Sequence, residues 1–252
     1  MENGLLGHDV TIYAFKFLGI TSPLTLININ TVTSTWIVLG ALALLTIIIR
    51  ILVSKSELAR FIVLKAITPI IDLVEQSVGK LNPHYYTFIS SLFTYITACN
   101  WIALVPGVEE PTKDLNTTLA LGLVAFAYIQ REVIKKNGLY SYIKEYFLPF
   151  DIMFPFNFLA GLIMLPLKLL GEVASVISIS FRLFGNIYGG AIIGSIYQKA
   201  IRGSLLYNLL GFAVGVNFLI TAFFVLFEGV LQAFVFSILT LTNIALATMS
   251  HD

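Results

Sequence analysis

Charge is what this sequence has least of. Its 252 residues hold 15 Lys plus Arg and 14 Asp plus Glu, so 12% are charged, against about a quarter in soluble domains. No stretch is polar enough to solvate a separate soluble domain, and 58% hydrophobic residues gathered in long blocks describe an integral membrane protein. A net charge of +1 supplies no concentrated basic face, which excludes nucleic acid as a partner. Cysteine is nearly absent as well. Cys99 alone permits no internal disulfide and, without His or Cys neighbours, no zinc site. No metal or other cofactor is expected, and no Walker-type glycine loop offers a nucleotide site. A signal peptide is not expected either, because the start lacks a basic region and no small-residue site closes a hydrophobic run.

The few charges map the chain, which reads as a single membrane domain over 1–252. Residues 1–32, with His8, Asp9 and Lys16, form an exposed N-terminal segment with a short apolar patch. Residues 33–53 are the first span. Arg50, Lys55, Arg60 and Lys65 crowd after it, which places that side in the cytoplasm and the N-terminus outside. Over 57–80, charges alternate with Leu58, Phe61, Ile62 and Ile67 at helical spacing, the pattern of an amphipathic helix at the interface, with a kink expected at Pro69. A second span over 84–106 ends at Pro106-Gly107, before an acidic outside loop with Glu109, Glu110 and Asp114. A third over 115–131 returns to a basic inner side at Arg131, Lys135 and Lys136. Tyr140, Tyr142, Tyr146 and Phe147 then suit an interfacial belt, and His84 and His251 border water.

The last two blocks, 156–200 and 204–250, would be helices of roughly 68 and 70 Å at a rise of 1.5 Å per residue. The hydrocarbon core is only about 30 Å thick. Each block must therefore break into two upright spans or lie strongly tilted. Pro166 offers a kink in the first block, but the second has no proline, and Phe227-Glu228-Gly229 lacks ordinary turn chemistry. The reading is therefore all-α and polytopic: about five membrane-embedded helices, an interfacial amphipathic helix, and a final hairpin of two long, strongly tilted helices.

Inside these blocks stand Lys168, Glu172, Arg182 and Glu228. A charge at membrane depth costs roughly 2.5–3.5 kcal/mol on insertion scales and normally marks a pathway, a counter-ion or a buried pair. Arg182 cannot escape by losing its proton. At helical spacing Ser175, Ser178, Arg182, Gly185, Asn186 and Gly189 share one face. Such a stripe of small residues lets another helix approach closely, with one fixed positive charge on it. The bland alternative is ordinary helix packing with Arg182 reaching to the interface. Asn217, Thr221, Glu228, Gln232 and Asn243 make a similar stripe in the last block. Glu228 is either a proton-exchanging carboxylate or the partner of Arg182 or Lys168. Glu172 is either on a proton path or paired with Lys168 four residues earlier. Lys168 itself more simply balances charge.

The run Ser180-Phe181-Arg182-Leu183-Phe184-Gly185-Asn186-Ile187-Tyr188-Gly189-Gly190 resembles the signature of subunit a of the rotary F-type ATP synthase. So do Leu104-Val105-Pro106-Gly107, Pro111-Thr112-Lys113-Asp114-Leu115-Asn116-Thr117-Thr118-Leu119-Ala120, and Leu231-Gln232-Ala233-Phe234-Val235-Phe236. In order and spacing they cover the chain from about residue 80 to its end. The resemblance implies a non-catalytic stator subunit with two aqueous half-channels beside a rotating ring of c-subunit proteolipids. It also implies b-type peripheral stalk subunits, the rest of the complex and membrane lipids as partners. Arg182 matches the family's essential arginine, Gln232 the glutamine opposite it, and Asn186 the asparagine one turn along. Three positions depart: acids or histidines usual in the family are replaced by Ala191 and Val225, and a common glutamate by Lys168. Glu228, the only carboxylate of the last block, is expected to take over one missing role, while Glu172 falls where many members have an acid. A bacterial inner membrane is the first expectation, with the C-terminus cytoplasmic, and an organellar membrane the second. The alternative function is a secondary transporter or anion channel that binds substrate at Arg182, although no repeat between the halves supports it.

Overall fold

A computed structural model describes residues 11–13, 26–78, 83–105, 107–147, 156–202, 219 and 222–249. Most of the 1–32 segment, Lys80, Pro106, Asn217, Thr221, His251 and the first part of the block expected over 204–250 lie outside the described residues. The elements are strands β1 (Thr11–Tyr13) and β2 (Leu26–Asn28), and helices α1 (Ile29–Lys55), α2 (Glu57–Val78), α3 (Pro83–Trp101), α4 (Leu115–Asn137), α5 (Leu139–Phe147) and α6 (Phe156–Arg202). A π-helical turn, Ala222–Phe227, then leads directly into α7 (Glu228–Met249). The fold is all-α and polytopic, with five helical stretches among the described residues long and apolar enough to cross a membrane: Ile29–Lys55, Pro83–Leu104, Leu115–Asn137, Gly161–Tyr197 and Ala222–Leu246. To that body the structure adds an antiparallel two-stranded ribbon, Thr11 opposite Asn28 and Tyr13 opposite Leu26, where only an exposed segment was expected.

The chain divides into two compact units: Met1–Lys65, Thr94–Asp114 and Ile187–Val230 in the first, Ala66–Phe93, Leu115–Asn186 and Leu231–Asp252 in the second. In the first, α1 starts where the Asn28 side chain accepts the Asn30 N–H at 2.9 Å, a side-chain cap on an otherwise unpaired amide. The only buried residues of α1 are Ser34 and Val38, while Leu44, Ile47, Ile51 and Leu52 are exposed, as suits a helix turned toward lipid. Thr33, Thr35 and Thr46 each donate their hydroxyl to the carbonyl four residues earlier, which removes free donors from an apolar phase. The α1 end is set by Ser56, whose N–H donates to the Leu52 carbonyl while its own carbonyl accepts from Arg60 in α2.

The same unit holds the loop between α3 and α4. A 3₁₀ turn at Ile102–Leu104 continues α3, Gly107 takes a left-handed φ of 86°, and a second 3₁₀ turn, Pro111–Lys113, precedes α4. The loop is tied on two sides. Thr112 donates to the Asn100 side-chain oxygen at 2.7 Å, and Thr31 of α1 donates to the Asp114 carboxylate at 3.2 Å.

In the second unit Val74, Tyr85, Ile89, Leu241 and Ile244 form a buried cluster joining α2, α3 and α7. Phe88 and Tyr128 stack beside it with ring centroids 3.8 Å apart. Buried Glu132 of α4 is held by the Tyr85 hydroxyl, and the Arg131 guanidinium lies 3.8 Å away. Gly138, at φ 79°, turns the chain from α4 into α5, a helix where the sequence suggested only an aromatic belt. Tyr142 then donates to the Gln130 side chain at 2.9 Å, folding α5 back along α4. Between α4 and α6 the backbones approach at Gly122, where an added Cβ would meet the Ser180 hydroxyl and lie 3.3 Å from the Val176 carbonyl. Along α6 the helix is continuous through Pro166, and its 47 residues reach roughly 70 Å.

Two outcomes follow. Gly122→Val overpacks the α4–α6 contact by roughly 1–3 kcal/mol. It lowers the thermal stability of the purified protein, whereas Gly40→Val, at a position with nothing within 4 Å of an added Cβ, leaves it unchanged. In the loop, burial raises the Glu110 pKa above the usual carboxylate value, opposed by its own backbone hydrogen bond and by Lys113. The folded loop therefore holds its proton more tightly than the unfolded loop does. Its stability is fullest below the ordinary carboxylate pKa and falls as pH rises through the raised one. Protection of the amides within 107–114 from exchange, measured relative to their intrinsic rate at each pH, should fall across that window, and Glu110→Gln should flatten the dependence.

Candidate functional site

The face of α6 that carries Arg182 is set by what its opposite face buries. Ser180, Leu183 and Ile187 are buried, Ser180 against Gly122 of α4, so the positions between them turn outward. Ser178, Arg182 and Gly185 are exposed, and Ser175, Asn186 and Gly189 are half-buried. A Cβ added at Gly171, Gly185, Gly189 or Gly194 would have nothing within 4 Å. Gly171, Gly185 and Gly189 share the face of Arg182, which is thus open at these glycines along about five turns, while Gly194 lies on the other side of the helix. Phe181 is 49% exposed beside Arg182, and its ring meets Phe184 edge-on at 6.4 Å.

Arg182 and Gln232 come together. Both line one narrow crevice with Ile179, Leu183, Phe236 and Leu239, and the crevice has no room for a water molecule. Gln232 itself is 5% exposed, held on the inner face of α7 with Ala233 and Phe236. A neutral amide beside a permanent cation offers a hydrogen-bond acceptor without cancelling the charge. Among the residues that line the crevice, none carries a negative charge.

Glu172 does not join that crevice. Nearly three turns earlier on α6, it lines a separate hollow of about 720 Å³, otherwise apolar except for Gln130 and Tyr142 of α4 and α5. Glu228 takes a third position. It is the first residue of α7, immediately after the π turn, and is half-buried. The expected stripe in the last block counted 3.6 residues per turn straight through this region. Asn217 and Thr221 of that stripe lie outside the described residues, and Glu228 directly follows the π turn Ala222–Phe227, whose period is wider than that of an α-helix. Val225 lies within the π turn, and Ala191 is half-buried on α6.

Three residues around Glu228 were not singled out in the sequence. The Asn100 amide donates to the Gly229 carbonyl at 2.8 Å, the Trp101 indole N–H reaches the Leu226 carbonyl at 3.4 Å, and Thr112 holds the Asn100 oxygen. One signal was there: an amide at the end of an apolar span needs a partner, and a span-terminal Asn beside Trp is worth pursuing for that reason.

The profile of the family described as ATP synthase A chain matches residues 32–245. The ATP synthase subunit a of Aliarcobacter butzleri (strain RM4018) is 37% identical over 177 residues, which cover 70% of this chain and 69% of that one. That of Acidothermus cellulolyticus (strain ATCC 43068 / DSM 8971 / 11B) is 34% identical over 186 residues, 69% of this chain and 59% of the relative. The ATP synthase subunit a 2 of Acaryochloris marina (strain MBIC 11017) is 28% identical, but over 86% of this chain and 85% of its own. The profile match runs from the first turns of α1 to the end of α7 and takes in every element that builds the crevice. On that match the chain belongs to the subunit a family of the F-type ATP synthase, and it is a multi-pass, proton-translocating subunit of the membrane sector of that complex.

Proposed function

We propose that Arg182 faces a rotating ring of c-subunit proteolipids and controls the charge state of each ring carboxylate as it passes. What carries this reading is the placement of a permanent cation on the open, glycine-lined face of α6, in one crevice with the buried amide of Gln232. A ring carboxylate arrives from lipid protonated. Beside Arg182 it loses its proton to one aqueous half-channel, because the guanidinium stabilises the anion in a low dielectric. It takes a proton from the other half-channel before it re-enters lipid. The same fixed charge keeps protons from passing directly between the half-channels. The membrane potential, worth about 2.3 kcal/mol per charge per 100 mV, sets the direction.

In this scheme the chain is a non-catalytic stator subunit, one membrane domain held by b-type peripheral stalk subunits in a bacterial inner membrane, with the N-terminus outside. Ser175, Ser178, Gly185 and Gly189 form the ring-facing surface, and Asn186, one turn beyond Arg182, extends its polar edge. Glu172 stands toward the Phe156 end of α6, the inner side in this orientation, and serves the inner half-channel. Glu228 serves the outer one in place of the acids missing at Ala191 and Val225.

Arg182→Ala abolishes ATP-driven proton pumping in membrane vesicles that contain the assembled complex. Pumping at the normal rate in that variant rules out the scheme. Glu228→Gln lowers pumping at every pH tested between roughly 6 and 9, by roughly 100-fold or more if it acts as a proton-transferring group. Unchanged pumping across that range removes Glu228 from the route and leaves the role of Arg182 standing.

A further inference from the structure

A π turn is a poor place to leave a working side chain unless something fixes it. The extra residue of the turn can migrate along a helix by stepwise exchange of backbone hydrogen bonds, and each one-residue step turns the next side chain by about 100°. Glu228 stands at that junction, between the π turn and the regular turns of α7.

We propose that Asn100 and Thr112 are positioning residues that lock this junction and thereby hold the Glu228 carboxylate at one point on the outer proton route. The inference rests on the role given to Glu228 above. The lock is a relay of directed hydrogen bonds. The Thr112 hydroxyl donates to the Asn100 oxygen at 2.7 Å, which fixes which end of the amide is the acceptor. The other end must then donate, and it does, to the Gly229 carbonyl at 2.8 Å. Asn100 is 1% exposed and Thr112 is wholly buried, so no water competes for these bonds. The Trp101 indole adds a longer contact to the Leu226 carbonyl, so side-chain donors from α3 bracket Glu228 on both sides. Gly229 makes the approach feasible, since a Cβ there would lie 3.0 Å from the Asn100 Cβ.

The far end of the relay gives it a purpose beyond packing. Thr112 sits in the 3₁₀ turn Pro111–Lys113, whose next residue, Asp114, is tied to Thr31 of α1. The loop between α3 and α4 therefore reaches the π junction through a single amide. A general packing role would spread contacts along α7. Here the two short hydrogen bonds run in series and end on the carbonyl next to Glu228.

The test is ATP-driven pumping by the assembled complex, normalised to the amount of subunit a in the membrane. Thr112→Val should lower it by up to roughly 100-fold, as expected when a reacting group is misplaced by about an ångström. Thr112→Ser, which keeps the donor, should restore most of the rate. Asn100→Ser, too short to reach Gly229, is the second variant and should match Thr112→Val. Added to Glu228→Gln, Thr112→Val should cause no further loss. A normal rate in both Thr112→Val and Asn100→Ser overturns the proposal. So does failure of Thr112→Ser to restore the rate, or the same fold-loss repeated in the Glu228→Gln background. Arg182→Ala, measured alongside, separates the two claims: if it is blocked while the Thr112 and Asn100 variants pump normally, only the lock falls.

Discussion

An ion in hydrocarbon has no solvent to fall back on, and Arg182 cannot shed its proton to avoid the cost. The chain does not cancel that charge within the crevice. Gln232 supplies a neutral acceptor, and Ile179, Leu183, Phe236 and Leu239 supply only apolar contact. In the proposed scheme, electrostatic relief comes from a group on another subunit. There a ring carboxylate that arrives, ionises and leaves would give that relief intermittently, as a proton-translocating subunit requires. A tightly paired arginine would be more comfortable and would translocate nothing.

The same lack of water governs the neutral groups. In α1 and α7 threonines return their hydroxyls to the carbonyls four residues back, Thr240 to Phe236 and Thr242 to Ile238 among them. The loop between α3 and α4 closes its own amides in 3₁₀ turns at Val105, Lys113 and Asp114. Irregular backbone at membrane depth is tolerated only where protein supplies donors and acceptors. That rule explains why the π turn comes with Asn100 and Trp101 beside it, and why these two sit at the end of α3.

The parts of the fold set by composition and period were readable from the residues. Hydropathy and the basic clusters around Arg50 and Arg131 outlined the spans, and the block that starts at Phe156 was too long for an upright helix, as α6 is. Arg182 and Gln232 stood out because a charge and an amide are expensive in apolar runs, and they share a crevice. The π turn was not readable, because it differs from an α-turn by one backbone hydrogen-bond step and depends on donors more than a hundred residues away. The ribbon of β1 and β2 escaped for a similar reason: three residues a side carry too short a pattern to stand out. Helix α5 was hidden in a stretch whose aromatic residues suit a belt equally well, and it is Gly138 that turns the chain into it.

The two functional helices divide the work unequally. In the proposed scheme the surface that meets successive ring subunits has to present the same profile to each, and α6 offers regular turns and glycines whose missing side chains leave its face open. Irregularity is better placed on the partner helix, at the side braced by α3. There it solves a second problem. Val225 stands where the resemblance implies an acid or histidine, and the carboxylate of Glu228 is three residues on, roughly 4.5 Å along the helix axis. In the proposed scheme that shift brings Glu228 within one turn of Gln232, closer to the arginine crevice. A carboxylate so near the fixed cation must keep to its own side of it, or the two half-channels would merge. That requirement turns the lock on the π junction from a packing detail into a condition for coupling.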